Sequence, residues 1–216
     1  MGLLSKLSNR ERIIISFLVV LVLLNILTLI TSRNLADFSQ DFKSMLEDRL
    51  IPSSDLAKIQ ELMYQNRLKL EEMVYLHENQ NTQKLVREVK NNNEQIDRIK
   101  AKYAKTHLTA DEAVNLDEFN RLMKNYRQIE DKVFQQMLQD NFSQASDIYL
   151  RESMPAFESL LTTTHTLKNI QVTVGEKLYR HAEKKVNSIQ IFAYLSLGIS
   201  LMITLNMLKV LRYKVK

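Results

Sequence analysis

The sequence predicts an all-α protein: an antiparallel up-down-up-down four-helix bundle, anchored by two transmembrane helices that are continuous with its first and fourth helices. Three observations indicate this fold. The 216 residues include three glycines and two prolines, which is too few for the many turns of a sheet protein. Two segments are apolar and uncharged over the length of a membrane-spanning helix. The rest of the chain has apolar residues at helical spacing.

The two apolar segments set the predicted domain boundaries. The first lies within residues 13–32 and the second covers residues 189–208. At a rise of about 1.5 Å per residue, each can cross a hydrocarbon layer of about 30 Å. Basic residues precede the first segment, as in a secretory signal, but the segment is longer than a signal core and no small-x-small cleavage site follows. We interpret both segments as transmembrane helices.

Basic residues are concentrated in the two flanks, residues 1–12 and 209–216. Together the flanks hold seven basic residues and one acidic residue, whereas residues 33–187 are nearly neutral. Positive flanks stay on the cytoplasmic side, so both termini are predicted to be cytoplasmic tails and residues 33–188 to be extracytoplasmic. The sequence therefore predicts a two-pass membrane protein. No nucleic-acid motif accompanies the basic residues, so no nucleic-acid partner is expected.

The first bundle helix is predicted from a heptad seam that begins at Leu35 and reaches His77. Its inward positions are Leu35, Phe38, Phe42, Met45, Arg49, Pro52, Leu56, Ile59, Met63, Asn66, Leu70, Met73 and His77. The polar stretch NQNT at 79–82 ends this helix. A second seam then predicts the second helix, with inward positions Leu85, Val89, Asn92, Ile96, Ile99 and Tyr103.

The third helix is predicted to start at a capping box formed by Thr109 and Glu112. The stretch DNFS at 140–143 predicts the next turn, with Ser143 as N-cap. The fourth helix is expected to continue into the second span. The inward positions of the third helix are Phe119, Leu122, Tyr126, Ile129 and Val133, and those of the fourth are Phe157, Leu160, Thr164, Leu167, Gln171, Val174, Leu178 and His181.

Helix lengths predict that the bundle is distal to the membrane, on a stalk made of the first and fourth helices. Each of these has about 46 residues outside the membrane, against about 24 in the second helix. Pro52 lacks an amide hydrogen, so we place the change from bundle to stalk there, with Arg49 and Gly175 as further stalk or hinge positions. A two-helix stalk leaves its apolar seam uncovered, which predicts a homodimer.

The stretch Glu47-Asp48-Arg49-Leu50-Ile51-Pro52, the segment AFESLLTTTHTLKNIQ and the order of spans and helices resemble the four-helix-bundle sensory module of methyl-accepting chemotaxis proteins. The resemblance covers nearly the whole chain, and it implies a protein of the bacterial inner membrane whose residues 33–188 are periplasmic. It implies a domain that responds to a ligand by shifting the fourth helix and the second span. Family members usually continue into a HAMP linker and a cytoplasmic signalling coiled coil. Since the sequence ends at Lys216, we expect a separate membrane or cytoplasmic signalling partner.

Candidate ligand-binding residues are polar or aromatic side chains toward the distal end of the bundle, which could line a pocket for a small polar or anionic molecule. The alternative is that buried polar residues fix the register of the bundle. Within the spans, polar residues at matching depths predict contacts between the transmembrane helices. The ligand candidates are Tyr64, Arg67, Tyr75, His77, Arg151 and Thr164, and the span residues are Ser16, Asn25, Tyr194 and Asn206.

No catalytic, cofactor or metal site is predicted. Three scattered glycines cannot form a phosphate-binding loop, and the absence of cysteine excludes thiolate chemistry. No glutamate is followed three residues later by a histidine, as a di-iron bundle would require. We expect a non-enzyme without a cofactor. Two functions remain open: a chemoreceptor-like sensory protein with a small-molecule or protein ligand, and a ligand-free structural scaffold or envelope interaction protein in the membrane.

Overall fold

The computed structural model describes residues 9–76 and 79–214, and every regular element in this part of the chain is helical. The fold class predicted from the sequence is therefore confirmed. The segments are α1 (Asn9–Met45), a π-helical turn (Leu46–Leu50), α2 (Ile51–Leu76), α3 (Asn79–Tyr103), α4 (Ala110–Leu138), α5 (Phe142–Ile148), a second π-helical turn (Tyr149–Ser153) and α6 (Met154–Lys214).

The chain divides into two compact units, which we describe separately. The bundle unit comprises Ser44–Lys177, and the anchor unit comprises the described residues up to Lys43 and from Leu178 onward. The bundle unit thus begins before Pro52, where the sequence predicted the change to a stalk. Pro52 is buried in the bundle because the chain stays helical through the preceding π-helical turn.

Contacts between side chains give the direction of helix packing in the bundle unit. Asp55 on α2 pairs with Lys102 on α3, and Lys69 pairs with Glu88, so the numbers rise on one helix as they fall on the other. The same inverse order relates α3 to α4, and α4 to the α5–α6 segment. These further pairs are Asp97–Arg127, Asn93–Glu130, Lys132–Glu152 and Tyr126–Phe157.

The core of the bundle unit consists of two hydrophobic clusters. Fully buried residues such as Leu70 and Leu160 each stabilise the fold by about 1.5–3 kcal/mol relative to exposure. One cluster includes Leu56, Ile59, Phe119 and Leu160, and the other includes Leu70, Val89, Val133 and Tyr149.

Between these clusters, α2, α3, α4 and the second π-helical turn each contribute one buried polar residue. These are Asn66 on α2, Asn92 on α3, Glu130 on α4 and Ser153 in the second π-helical turn. Together with Asn93 they form what we call the central polar layer. The seam positions predicted from the sequence are therefore correct for α2 and α3, but the carboxylate in the core was not predicted.

Each π-helical turn is followed closely by a proline. The first ends two residues before Pro52 and the second two residues before Pro155. A proline in a helix lacks an amide hydrogen, and its ring collides with the carbonyl four residues earlier. A π-helical turn widens the backbone at that place and accommodates the ring. The backbone irregularity predicted at Pro52 is present, but it is a π-helical turn and the helix does not break there.

The turn between α4 and α5 corrects one sequence prediction. Asp140 has a φ of 59°, and the N–H of Asn141 donates to the carbonyl of Gln136 at 2.9 Å, which closes α4 with a Schellman motif. Helix α5 then begins at Phe142 with Asn141 as N-cap. Ser143 lies inside the first turn, so its prediction as N-cap is wrong.

The capping box at the start of α4 is confirmed. The N–H of Glu112 donates to Thr109 Oγ1 at 3.2 Å, and the N–H of Thr109 donates to Glu112 Oε2 at 2.6 Å. These two hydrogen bonds satisfy amide groups that a helix start otherwise leaves without partners.

The anchor unit contains the two predicted spans. Among the described residues, two helices are long and apolar enough to cross a membrane, and no residue of their most apolar windows is buried there. At the polar end of this unit, Asp41 accepts a hydrogen bond from Lys185 at 2.7 Å and lies 3.1 Å from His181. Lys185 holds the pKa of Asp41 below its usual value. The side chain of His181 is 62% exposed, so its predicted inward position is wrong.

Candidate functional site

The central polar layer is joined by a chain of side-chain hydrogen bonds. Asn92 Nδ2 donates to Asn66 Oδ1 at 2.9 Å, and Asn66 Nδ2 donates to Asn93 Oδ1 at 3.0 Å. Asn93 Nδ2 in turn donates to Glu130 Oε2 at 3.0 Å. The layer therefore links α2, α3 and α4 through three amide donors and ends at a carboxylate.

Glu130 is the ionisable group of this layer, and only 1% of its surface is exposed. Burial raises its pKa to about 7, although the hydrogen bond from Asn93 and the charge of Arg127 act in the opposite direction. Arg127 does not neutralise the carboxylate directly, because its guanidinium donates to Asp97 at 2.8 Å and to the Asn93 carbonyl at 3.0 Å.

Aromatic residues lie next to the polar layer. Tyr126 packs against the Phe157 ring at 5.9 Å between centroids, and burial raises the pKa of Tyr126 and of Tyr149. The guanidinium of Arg67 lies 5.1 Å from the centre of the Phe157 ring, a cation–π contact. Tyr149 is the principal cause of a raised pKa at Arg67. The tyrosines and Arg67 thus extend the polar layer from α2 to the second π-helical turn.

A second polar cluster, the Arg49 cluster, connects four helical segments. Arg49 Nη1 donates to both carboxylate oxygens of Glu112 at 2.9 Å, and its Nη2 donates to the His107 carbonyl at 3.0 Å. Gln171 Nε2 donates to Glu112 Oε1 at 2.5 Å and to Tyr103 Oη at 3.1 Å. The cluster therefore holds the first π-helical turn, α3, α4 and α6 together.

The Arg49 cluster is almost completely removed from solvent. Arg49 is 7% exposed and the side chain of Glu112 is fully buried. Burial also raises the pKa of Tyr103 to about 12, so its hydroxyl stays protonated and able to donate. An ion pair at this depth is stable only while both partners and their hydrogen bonds are in place.

An open groove of about 390 Å³ lies between α4 and the start of α6. Its size is at the lower end of the usual range for small-molecule sites, about 300–1,000 Å³. The wall mixes uncharged polar groups with apolar ones, and the Lys132–Glu152 ion pair lies at its edge with a distance of 2.7 Å. The lining residues are Leu122, Asn125, Gln128, Ile129, Lys132, Glu152, Pro155, Ala156 and Ser159.

A family model described as a four-helix-bundle sensory module for signal transduction matches residues 6–186. The chain belongs to this family. The match includes the whole bundle unit and confirms the resemblance first seen in the stretch from Glu47 to Pro52. No curated protein and no solved structure matches the chain. The bundle unit is thus a sensory module for signal transduction, in a chain that also carries two candidate membrane spans.

Three of the predicted ligand-binding residues contact aromatic side chains in the bundle unit. The ring of Tyr64 packs edge-on against Phe157 at 5.3 Å, close to Arg67 on the same ring. Tyr75 makes a similar contact with Tyr149 at 6.1 Å. The structure therefore brings Tyr64 and Arg67 together, and Tyr75 joins them through Tyr149. These residues are absent from the lining of the groove.

The remaining ligand candidates are placed elsewhere in the sensory module. Arg151 has 79% of its side chain exposed and pairs with Asp147 at 2.5 Å, one turn earlier. Thr164 is buried and its hydroxyl donates to the Leu160 carbonyl at 2.9 Å, so it is satisfied within its own helix. His77 lies outside the described residues.

The structure describes some of the predicted span and hinge residues. Asn25 donates to the carbonyl of Leu21 in its own helix at 2.8 Å, and Tyr194 is exposed. The side chains of Ser16 and Asn206 lie outside the described part of the chain. A methyl group added at Gly175 would lie 3.9 Å from Arg49 Cβ, an ordinary contact, so packing there does not require glycine.

Sequence reasoning missed Glu130 and the second role of Glu112. Glu130 lies one turn after Tyr126 and one residue after Ile129, so a carboxylate in an apolar stripe was the available signal. Glu112 was interpreted only as a capping residue, although Leu116 one turn later marks the same face as inward. The groove residues have no signal of their own, since Asn125, Gln128 and Ser159 resemble any solvated helix surface.

Proposed function

We propose that the chain is a chemoreceptor-like sensory protein of the bacterial inner membrane. In this proposal the bundle lies outside the cytoplasm and binds a small polar molecule or a periplasmic partner. Binding shifts α6, and the shift passes through the membrane to a separate signalling partner. Membership of the sensory-module family supports the sensing role. The proposal assigns neither catalysis nor a cofactor to the chain.

The observation that carries the proposal is the position of the groove relative to α6. Glu152 belongs to the second π-helical turn, and Pro155 and Ala156 form the first turn of α6. From there α6 is a single helix from Met154 to Lys214, and it contains the second apolar segment. A ligand held between α4 and these residues would therefore act on the start of the helix that enters the membrane.

The groove favours a small polar ligand. Asn125, Gln128 and Ser159 offer hydrogen-bond donors and acceptors without net charge, and Ile129 provides an apolar floor. Lys132 and Glu152 pair with each other at the edge, so each could instead pair with an opposite charge on a ligand. A polar molecule of a few to about ten heavy atoms with donors and acceptors fits this chemistry.

The proposed assembly is a homodimer. Large apolar side chains are exposed along the first bundle helix, among them Leu50, Leu68 and Tyr75. Leu35 and Phe42 on α1 are also exposed in the single chain, although the sequence pattern predicted them to be inward. Pairing with a second copy would cover such residues and remove their apolar surface from water.

Replacing Asn125 with leucine is expected to weaken ligand binding by about 5- to 150-fold. The change removes a donor and an acceptor from the groove, and a lost hydrogen bond to a bound polar ligand costs about 1–3 kcal/mol. The experiment is a thermal-shift screen of the full chain in lipid nanodiscs against amino acids, dicarboxylates, sugars and polyamines. We expect at least one compound to raise the melting temperature of the wild type and to lose that effect in the N125L variant.

The matched control is Asn115→Leu, which makes the same substitution on α4 outside the groove. Asn115 donates only to the Asp111 carbonyl of its own helix, so N115L should respond to the compound as the wild type does. A compound that stabilises N125L as strongly as N115L would contradict the groove as the binding site. A panel without any stabilising compound would contradict small-molecule sensing and favour a protein partner.

A further inference from the structure

The hydrogen bonds of Glu130 are incomplete for an ionised carboxylate. Its Oε2 accepts one hydrogen bond, from Asn93 at 3.0 Å, and its Oε1 has no hydrogen-bond partner within the described part of the chain. An ionised carboxylate has about four acceptor positions, and leaving them empty in a buried site is costly. A protonated carboxyl group carries no charge, so it needs fewer hydrogen bonds from its surroundings when it is buried.

Charged groups on the surrounding elements are engaged with other partners. On α4 itself Arg127 binds Asp97 of α3, while Asp131 is exposed and repels a charge on Glu130. On α2 Arg67 lies over Phe157. At the second π-helical turn Glu152 pairs with Lys132, and the neighbouring Tyr126 and Tyr149 are neutral at ordinary pH because burial raises their pKa. Among the residues that the structure describes, no cation contacts Glu130 directly.

We propose that Glu130 is a proton-binding site through which the bundle responds to the pH of its surroundings. Loss of the proton places an uncompensated charge between the two hydrophobic clusters, at the level of Ser153 in the π-helical turn that leads into α6. Proton binding follows from the site alone, whereas its use as a signal rests on the proposed sensory function.

The direction of the effect follows from the pKa. Burial raises the pKa of Glu130 from 4.5 to about 7 in the folded state, so the folded chain binds this proton more tightly than the unfolded chain does. The stabilisation from this group is complete below pH 4.5 and is lost as the pH rises to about 7. Within this window the folding equilibrium constant should fall by up to about tenfold per pH unit.

The test compares the full-length wild type in lipid nanodiscs with Glu130→Gln, which imitates the protonated group. Unfolding is followed by circular dichroism between pH 5 and 8. We expect the wild type to lose stability relative to E130Q as the pH rises to about 7, and the difference to be constant above that value. Glu118→Gln is the matched control, because Glu118 is a part-exposed residue of α4 paired with Arg121. Its pH profile should follow the wild type.

A second measurement does not depend on the stability of the variant. Infrared difference spectra of the same samples should contain a protonated-carboxyl band that disappears between pH 6 and 8 in the wild type and is absent from E130Q. A wild-type profile parallel to that of E130Q, or equal bands in both proteins, would overturn the proton site. Neither result would affect the groove, which the thermal-shift screen tests at constant pH.

Discussion

Replacing Arg49 with methionine is expected to lower the free energy of unfolding by about 3–5 kcal/mol. The substitution keeps most of the side-chain volume but leaves the carboxylate of Glu112 buried without its cation. The amide of Gln171 and the N–H of Thr109 still donate to that carboxylate, at 2.5 and 2.6 Å, yet neither carries a charge. Chemical unfolding of the full chain in detergent micelles, followed by circular dichroism, measures the loss.

The control for this prediction is Arg121→Met. Arg121 also pairs with a glutamate, Glu118, but its side chain is 67% exposed. Water screens such a pair, so the change should leave the stability close to that of the wild type. If R49M and R121M lower the stability by the same small amount, the Arg49 cluster does not hold the helices together in the way described.

Replacing Phe157 with alanine is expected to lower the free energy of unfolding by about 3–5 kcal/mol. Phe157 is 1% exposed, and its ring contacts Tyr64, Tyr126 and the guanidinium of Arg67. Its removal leaves a cavity next to the central polar layer and takes away the surface on which Tyr64 and Arg67 rest. The same unfolding experiment measures the effect.

A matched substitution on the same helix is Val172→Ala. Val172 is 55% exposed, so its truncation should change the stability by less than about 0.5 kcal/mol. Equal losses for the two alanine variants would contradict the core position of Phe157. If F157A loses much stability but binds the ligand as the wild type does, the aromatic residues around Phe157 do not take part in ligand binding at the proposed groove.

The architecture of the bundle could be predicted from the sequence because it depends on local signals. A low content of glycine and proline favours long helices, and a heptad seam and a capping box each depend on residues within a few turns of one helix. The capping box of Thr109 and Glu112 is present as predicted. The main local error was Ser143. Helix α5 starts one residue earlier than Ser143 because Asp140 adopts the left-handed conformation that ends α4. Sequence propensity alone did not predict this conformation.

The polar interior could be predicted only in part. Asn66, Asn92 and Gln171 were recognisable as polar residues at seam positions. Their partners were not, because the hydrogen bond between Asn93 and Glu130 joins residues 37 positions apart and depends on the packing of three helices. The ion pair of Arg49 with Glu112 spans 63 positions for the same reason.

The candidate ligand site was the least predictable feature. Tyr64, Arg67 and Tyr75 were selected for their chemistry, and the structure gives them aromatic partners. The groove instead lies between α4 and the start of α6 beside Pro155, and the spacing of residues along one helix carries no information about such a gap. The wide turns before Pro52 and Pro155 illustrate the same limit, since the sequence predicts irregularity there without predicting its form.

The central claim is that two membrane spans hold the sensory bundle outside the cytoplasm, and cysteine labelling tests it most directly. The natural chain contains no cysteine, so single-cysteine variants need no background substitutions. Asp117→Cys places a thiol on the exposed face of α4, and Lys214→Cys places one in the flank after the second span. In intact bacterial cells a membrane-impermeant maleimide should label position 117, and position 214 should react only after permeabilisation. Labelling of position 214 in intact cells, with position 117 protected until the membrane is opened, would contradict the account.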